Sequence, residues 1–271
     1  MGSRRVRRRS DIALRPLLER ELIGFEQRAW PAPLKILPSP TVTVMFQLAG
    51  QFPGTPRAFV VGPRSSAETI FPVGATACVD VKLTPVGAAR LFGPVLGDMI
   101  DQQVDLDVLL RGRRAADLLI DQLLEGTWYQ RLIAVERFLI DRLGMAAFVP
   151  PEVDWAWQAI RRSCGEVRVG RLVAETGWSH RHFVRQFRRH TGLAPKAAGQ
   201  LVRLSAALQA LQHEEAISLA ELAVRSGYHD QAHMSRDVRR RVGATPGQLM
   251  TARDLAPPAI VAESLRRPPL R

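Results

Sequence analysis

Ser218-Leu219-Ala220-Glu221-Leu222-Ala223-Val224-Arg225-Ser226-Gly227-Tyr228-His229-Asp230-Gln231-Ala232-His233-Met234-Ser235-Arg236 is the stretch whose reading decides the fold. Ser218 can cap a helix over Leu219 to Arg225, with Glu221 at the third helical position as in a capping box. Gly227 follows where the chain must leave that helix in a left-handed conformation, which costs glycine least. Tyr228 suits the angle between two helices, and Asp230 can cap a second helix running to about Arg241. Met234 and Val238 stand four apart and give that second helix one buried stripe.

Fifty residues upstream the pattern occurs again. Leu172, Gly177 and Trp178 match Leu222, Gly227 and Tyr228. After one extra residue in the second turn, His182, Phe183, Arg185 and Phe187 match His233, Met234, Arg236 and Val238, and Gly192 and Pro195 match Gly243 and Pro246. A repeat of this length with apolar class kept at the same helical phases predicts two similar helix-turn-helix units, at about 168–190 and 218–241, with Ser179 as the cap in the first.

The outer faces of the two second helices carry the chemistry. Arg181, Val184, Arg185 and Arg188 fall on one face of the first, and Gln231, Ala232, Ser235, Arg236 and Arg239 on that of the second. Arginine presents two parallel donors to a guanine edge, and glutamine pairs with adenine in the same bidentate way. The base-reading candidates are therefore Arg181, Val184, Arg185, Gln231, Ala232, Ser235 and Arg236. The phosphate candidates are Arg188, Arg189, Arg239 and Arg240. The alternative is that both faces are merely solvated, and a matching Arg at 185 and 236 behind each Gly-aromatic turn weighs against it.

This half resembles the AraC/XylS family of bacterial regulators, through the stretch quoted above with Ile217 before it and Gly243-Ala244-Thr245-Pro246-Gly247-Gln248 after it. The likeness covers about 150–252. It implies a seven-helix module in which a long helix from Pro195 to about Gln212 joins two units that read successive major grooves. In that family the positions of Arg185 and Arg236, with Arg181, Gln231 and Ser235 nearby, face the bases. This chain departs from the pattern at Val173, where alanine is usual, and at Asp237 and Val238, which suggests a softer core in the second unit.

Charge divides along the chain in the same sense. Residues 153–250 hold 15 Arg and Lys against 8 Asp and Glu, whereas residues 11–152 hold 14 against 16. A basic back half joined to a near-neutral front suits a polyanion partner, here double-stranded DNA. Arg4, Arg5, Arg7, Arg8 and Arg9 lack apolar spacing, so residues 1–10 read as a basic disordered arm, and residues 253–271 as a flexible tail.

From Pro31 to Val81 the runs are β-like: 41–48 ending at Gly50, 58–61 ending at Gly62-Pro63, and an alternating 77–82, at the spacing of a meander or barrel. Helical spacing follows at 87–92, 115–124 and 129–143, with Leu118, Leu119, Leu123, Leu132, Val135, Phe138, Leu139 and Leu143 forming a stripe. That stripe either packs on the β layer or makes a dimer. Val149-Pro150-Pro151 breaks the helix, which puts the domain boundary between 148 and 149. Residues 11–148 are then a β-rich sensor or dimerisation domain with C-terminal helices, and 149–252 the DNA-binding domain. The fold class is α+β, with an all-α second domain. Phe59-Val60-Val61-Gly62-Pro63 and 81–93 resemble a less common sensor type found beside such modules.

Other chemistry fits poorly. No nucleophile elbow, phosphate loop or paired-carboxylate signature occurs. Cys78 and Cys164 are too few for the DNA-repair methyltransferases that share this kind of module. All six His lie between 180 and 233, but no carboxylate or Cys is placed to complete a metal site. The expectation is no enzyme, no cofactor and no metal, in a reducing cytoplasm, without a membrane span. The expected function is a sequence-specific transcription regulator, an activator meeting RNA polymerase, controlled by a small effector or a partner, with a homodimer left open. A regulator governed only by its abundance and an architectural DNA binder stay open.

Overall fold

A computed structural model describes residues 3–28, 30, 33–94, 97, 99–110, 115–213 and 218–253. The β-rich half contains a six-stranded antiparallel sheet in the order β1–β2–β7–β4–β5–β8, and a two-stranded sheet of β3 and β6. The strands are β1 (Ser3–Arg8), β2 (Leu22–Gln27), β3 (Leu34–Ile36), β4 (Val42–Gln51), β5 (Ala58–Val61), β6 (Glu68–Ile70), β7 (Val73–Leu83) and β8 (Gln103–Asp105). Helices α1 (Pro85–Phe92), α2 (Leu106–Leu110), α3 (Ala115–Glu125) and α4 (Trp128–Gly144) accompany them.

Side-chain alternation separates the two faces of the large sheet. Val42, Val44, Phe46, Val60, Val79, Val81 and Leu83 join the core that also holds Leu119, Leu123, Leu132, Val135 and Leu139 of α3 and α4. The apolar helix stripe thus packs on the β layer, apart from Leu118, which is exposed. Gly24 in β2 is where Trp128 of α4 lies on the sheet; a Cβ there would sit 2.4 Å from Trp128 Cε3. The other face carries Phe25, Phe52, Phe59, Val61 and Cys78, a second apolar cluster.

Three sequence expectations change. Residues 3–8 are an edge strand, not a disordered arm: β1 pairs with β2 from Ser3↔Gln27 to Arg8↔Leu22. Its arginines hide the strand because they lack an apolar face, yet Arg8 donates to the buried Glu136 of α4 from Nε (3.0 Å) and Nη2 (2.7 Å). The 41–48 run does not stop at Gly50; β4 continues to Gln51 through register irregularities after Gln47 and Ala49, with Gly50 at φ +68°. The sheet is not a sequential meander, since β7 sits between β2 and β4. Pro31, Ile217 and the expected tail beyond Arg253 lie outside the described residues.

The second half is helical: α5 (Pro151–Arg162), α6 (Val169–Thr176), α7 (His180–Thr191), α8 (Pro195–His213), α9 (Leu219–Arg225), α10 (Gln231–Val242) and α11 (Pro246–Arg253). Its core is continuous with that under the sheet, and Trp157 of α5 is fully buried within it. Polar ties cross between the halves. Arg90 donates to Asp154 at 2.9 Å, the Ala67 N–H donates to the Arg241 carbonyl at 2.7 Å, and Arg161 donates to Glu19 Oε2 at 2.8 Å.

Glu19 makes the contact between the halves sensitive to pH. Its side chain is fully buried, and Oε1 has no hydrogen-bond partner among the described residues. Burial pushes the carboxyl up to about 7, against the pull of Arg161. A carboxyl raised in the folded state stabilises it below the unfolded value near 4.5 and loses that contribution as pH rises through about 7. Relative to Glu19→Gln, the native chain should therefore lose on the order of 2–3 kcal/mol between those pH values. Paired denaturation curves at several pH values check this; parallel pH profiles for the two proteins would contradict it.

Candidate nucleic-acid interface

Each helix-turn-helix unit is built by local chemistry. In the first, Gly177 ends α6 at φ +68°, and Ser179 accepts from the His182 N–H to start α7. In the second, Ser218 accepts from the Glu221 N–H at 3.1 Å to start α9, and Asp230 accepts from the His233 N–H at 2.6 Å to start α10. Gly227 follows α9 at φ +80°. That backbone bond from His233 holds the Asp230 carboxyl below its usual range. Glycines at φ +76° and +72° close the second helices, at Gly192 and Gly243.

Phe183 and Phe187 of α7, and Met234 and Val238 of α10, are fully buried. Anchoring these stripes turns the opposite faces outward. Arg181, Arg185, Arg188 and Arg189 are exposed on α7, with Val184 half-buried among them; Gln231, Ala232, Arg236, Arg239 and Arg240 are exposed on α10, with Ser235 half-buried. The candidates thus fall into two strips on two helices. Helix α8 lies between the units, and its 19 residues span about 28 Å at 1.5 Å per residue. On α7 the strip of His180, Arg181, Val184, Arg185, Arg188 and Arg189 lines a wide cleft opposite Gly97 of the β-rich half.

Three features escaped the sequence reading. His182 packs edge-on against Trp178, with ring centroids 4.7 Å apart, as His233 packs on Tyr228 at 5.2 Å. These histidines buttress their turns. His182 also meets Arg185 Nη2 through Nδ1 at 3.1 Å, so in this state it positions a base-reading candidate. Asp237, which looked like a weakness in the second core, is a polar hub: it accepts from Tyr228 Oη at 3.0 Å, Arg240 Nη2 at 2.6 Å and Arg241 Nε at 3.1 Å. Burial works against its charge, but the bonds from Arg240, Tyr228 and Arg241 outweigh it and hold the carboxyl below the usual range. Arg240 is consequently occupied within the chain, and is the weakest of the four phosphate candidates. Arg241 extends the hub to the β-rich half by donating to the Ser65 carbonyl at 3.0 Å.

Between the two sheets lies a cavity of about 310 Å³, lined on its apolar side by Phe25, Leu34, Met45, Phe52, Phe59 and Ile70. Its polar side includes Thr43, Asp80 and Lys82, and its rim the ion pair of Arg64 with Glu68. The alternating 77–82 run concealed this, because its polar residues do not face solvent: Asp80 is 0% and Lys82 6% exposed. Burial drives the Lys82 ammonium down to about 8, despite the support of Asp80. Ser65 and Ala67, which hold Arg241, sit in the segment between the rim residues.

Residues 172–252 match the family described as a helix-turn-helix domain. An HTH-type transcriptional regulator of Mycobacterium tuberculosis is 34% identical over 91 residues, which are 34% of this chain and 35% of the relative. The chain thus spans about a third of that curated relative's length. Among solved structures, the C-terminal domain of AraT, a response regulator from Geobacillus stearothermophilus, is similar at 21% identity and TM-score 0.36, over 39% of this chain and 88% of that one. ToxT from Vibrio cholerae is similar at 9% identity and TM-score 0.48, over 86% of this chain and 98% of its own. The matched stretch holds two capped, glycine-turned helical units joined by a long helix, and this part of the chain is similar to the helix-turn-helix family.

Proposed function

We propose that this chain is a sequence-specific transcription regulator, not an enzyme, whose α7 and α10 read two successive major-groove segments under the control of a small molecule in the N-terminal cavity. One observation carries the reading: Arg185 and Arg236 stand exposed at matching positions of two reading helices that are capped and turned alike. With α8 fixing their separation, one monomer should cover segments about 10 bp apart. The segment linking the cavity rim to Arg241 offers the route by which an occupied cavity would bias the placement of α10. On this reading the chain works in the cytoplasm on double-stranded DNA, as an activator beside RNA polymerase, with any homodimer contact made by the N-terminal half.

The test is binding of variants to a library of single-base operator changes. Arg185→Ala should relax preference in one half-element and Arg236→Ala in the other, each by roughly 1–3 kcal/mol of discrimination. Arg239→Ala should weaken binding evenly across the library. Uniform losses from both of the first two would assign those arginines to phosphates and move the readout elsewhere.

A further inference from the structure

Taking the N-terminal half as the sensor, as proposed above, we infer the class of its ligand: an uncharged alcohol with an apolar body, whose hydroxyl bridges Asp80 and Lys82. The side chains that define the head position are both buried in the cavity wall. Arg20, from outside the wall, pairs with Asp80 Oδ2, while Oδ1 is buried without a hydrogen-bond partner among the described residues. Lys82 Nζ donates to Thr43 Oγ1 at 2.5 Å and stands 3.6 Å from Asp80 Oδ1, beyond hydrogen-bond reach. An ammonium has three donors, so a spare donor and a spare acceptor face the same space.

One hydroxyl satisfies both. An oxygen about 2.8 Å from each atom closes the triangle on that 3.6 Å base, donating its proton to Oδ1 and accepting from Nζ. A carboxylate within reach of Lys82 would instead place a second anion beside Oδ1 with no proton between them. A cation would meet Lys82 and Arg20. A hydrocarbon would displace any solvent from both polar groups and leave them unsatisfied, which costs more than the bonds gain. The remaining wall is aromatic and aliphatic, from Phe25, Met45, Phe52 and Phe59, which offers a polyol little and an alicyclic or aromatic body much.

The full-length protein should be titrated by calorimetry with cyclohexylmethanol, cyclohexanecarboxylate and methylcyclohexane, three probes of one shape. The alcohol should bind at least about tenfold more tightly than either of the others, the scale of one well-made buried hydrogen bond. Lys82→Met, which leaves the Arg20–Asp80 pair in place, should narrow the alcohol's advantage over methylcyclohexane, because only the bond to Asp80 Oδ1 then remains. The three-probe comparison needs no variant and stands even if Lys82→Met fails to fold. Equal or tighter binding of the carboxylate, equal binding of the hydrocarbon, or no binding of any probe overturns the inference. Operator binding is measured on the same preparation without a probe. Its absence would sink the regulator reading and leave the ordering of the three probes to stand or fall alone.

Discussion

Phe187→Ala should cost about 3–5 kcal/mol and lower Tm by roughly 10 °C. The phenyl ring is fully buried and packs on Phe183 with ring centroids 5.8 Å apart. Removing it leaves a cavity under the middle of α7 that the capped turn on one side and Gly192 on the other restrict from collapsing. Against a typical total of about 5–15 kcal/mol, the loss is large enough to loosen α7 at physiological temperature. Arg181→Ala, on the exposed face of the same helix, should stay within about 0.5 kcal/mol. Thermal and chemical denaturation of the two variants side by side provides the check. A Phe187→Ala loss below about 1 kcal/mol would mean that α7 is not anchored by this stripe.

Salt should act almost as strongly on DNA binding. If Arg188, Arg189, Arg239 and Arg240 each neutralise one phosphate, the log–log slope of affinity against salt is about −3.6. Between 50 and 200 mM salt that slope predicts a loss of roughly 150-fold. Single Arg→Ala changes should each reduce the slope by about 0.9. The smallest change should come from Arg240, because Asp237 already holds its guanidinium at 2.6 Å. Fluorescence-anisotropy titrations across a salt series give the slope directly. A flat response would remove the basic face from consideration as a DNA surface.

The helical half was legible in the sequence because its rules are local. Ser218, Gly227 and Asp230 fix starts and stops within a few residues of themselves, and the second copy with Gly177 and Ser179 repeats the signal. The expected 195–212 helix is Pro195–His213, and the expected ends near 190 and 241 fall at Thr191 and Val242. The β-rich half depended on partners that the sequence does not display. Nothing in Ser3-Arg4-Arg5-Val6-Arg7-Arg8 marks a strand; its order comes from β2 and from Glu136, 128 positions from Arg8. Asp80 and Lys82 looked like the wet side of a strand because alternation gives the period but not what covers each face. The cover here is the small sheet of β3 and β6, whose strands have three residues each. His182 and Asp237 were missed for a related reason. Their partners lie one turn away or across the helix angle, and residue type alone raised only a metal site, set aside, for one and a packing fault for the other.

The arginine-rich β1 has a consequence for how copies of this protein can associate. An edge strand offers a row of backbone donors and acceptors to any other strand, the usual starting point for sheets that grow from one molecule into the next. Four of the six residues of β1 are arginines. A second copy approaching along this edge would set arginine against arginine at several cross-strand pairs, which opposes the ladder. The opposite edge is β8, only three residues long, too short to template much. The two edges of the large sheet therefore resist strand-by-strand growth from one molecule into the next. Any self-association of the β-rich half has to use side chains on a helix or sheet face, leaving the open backbone of its edges unzipped.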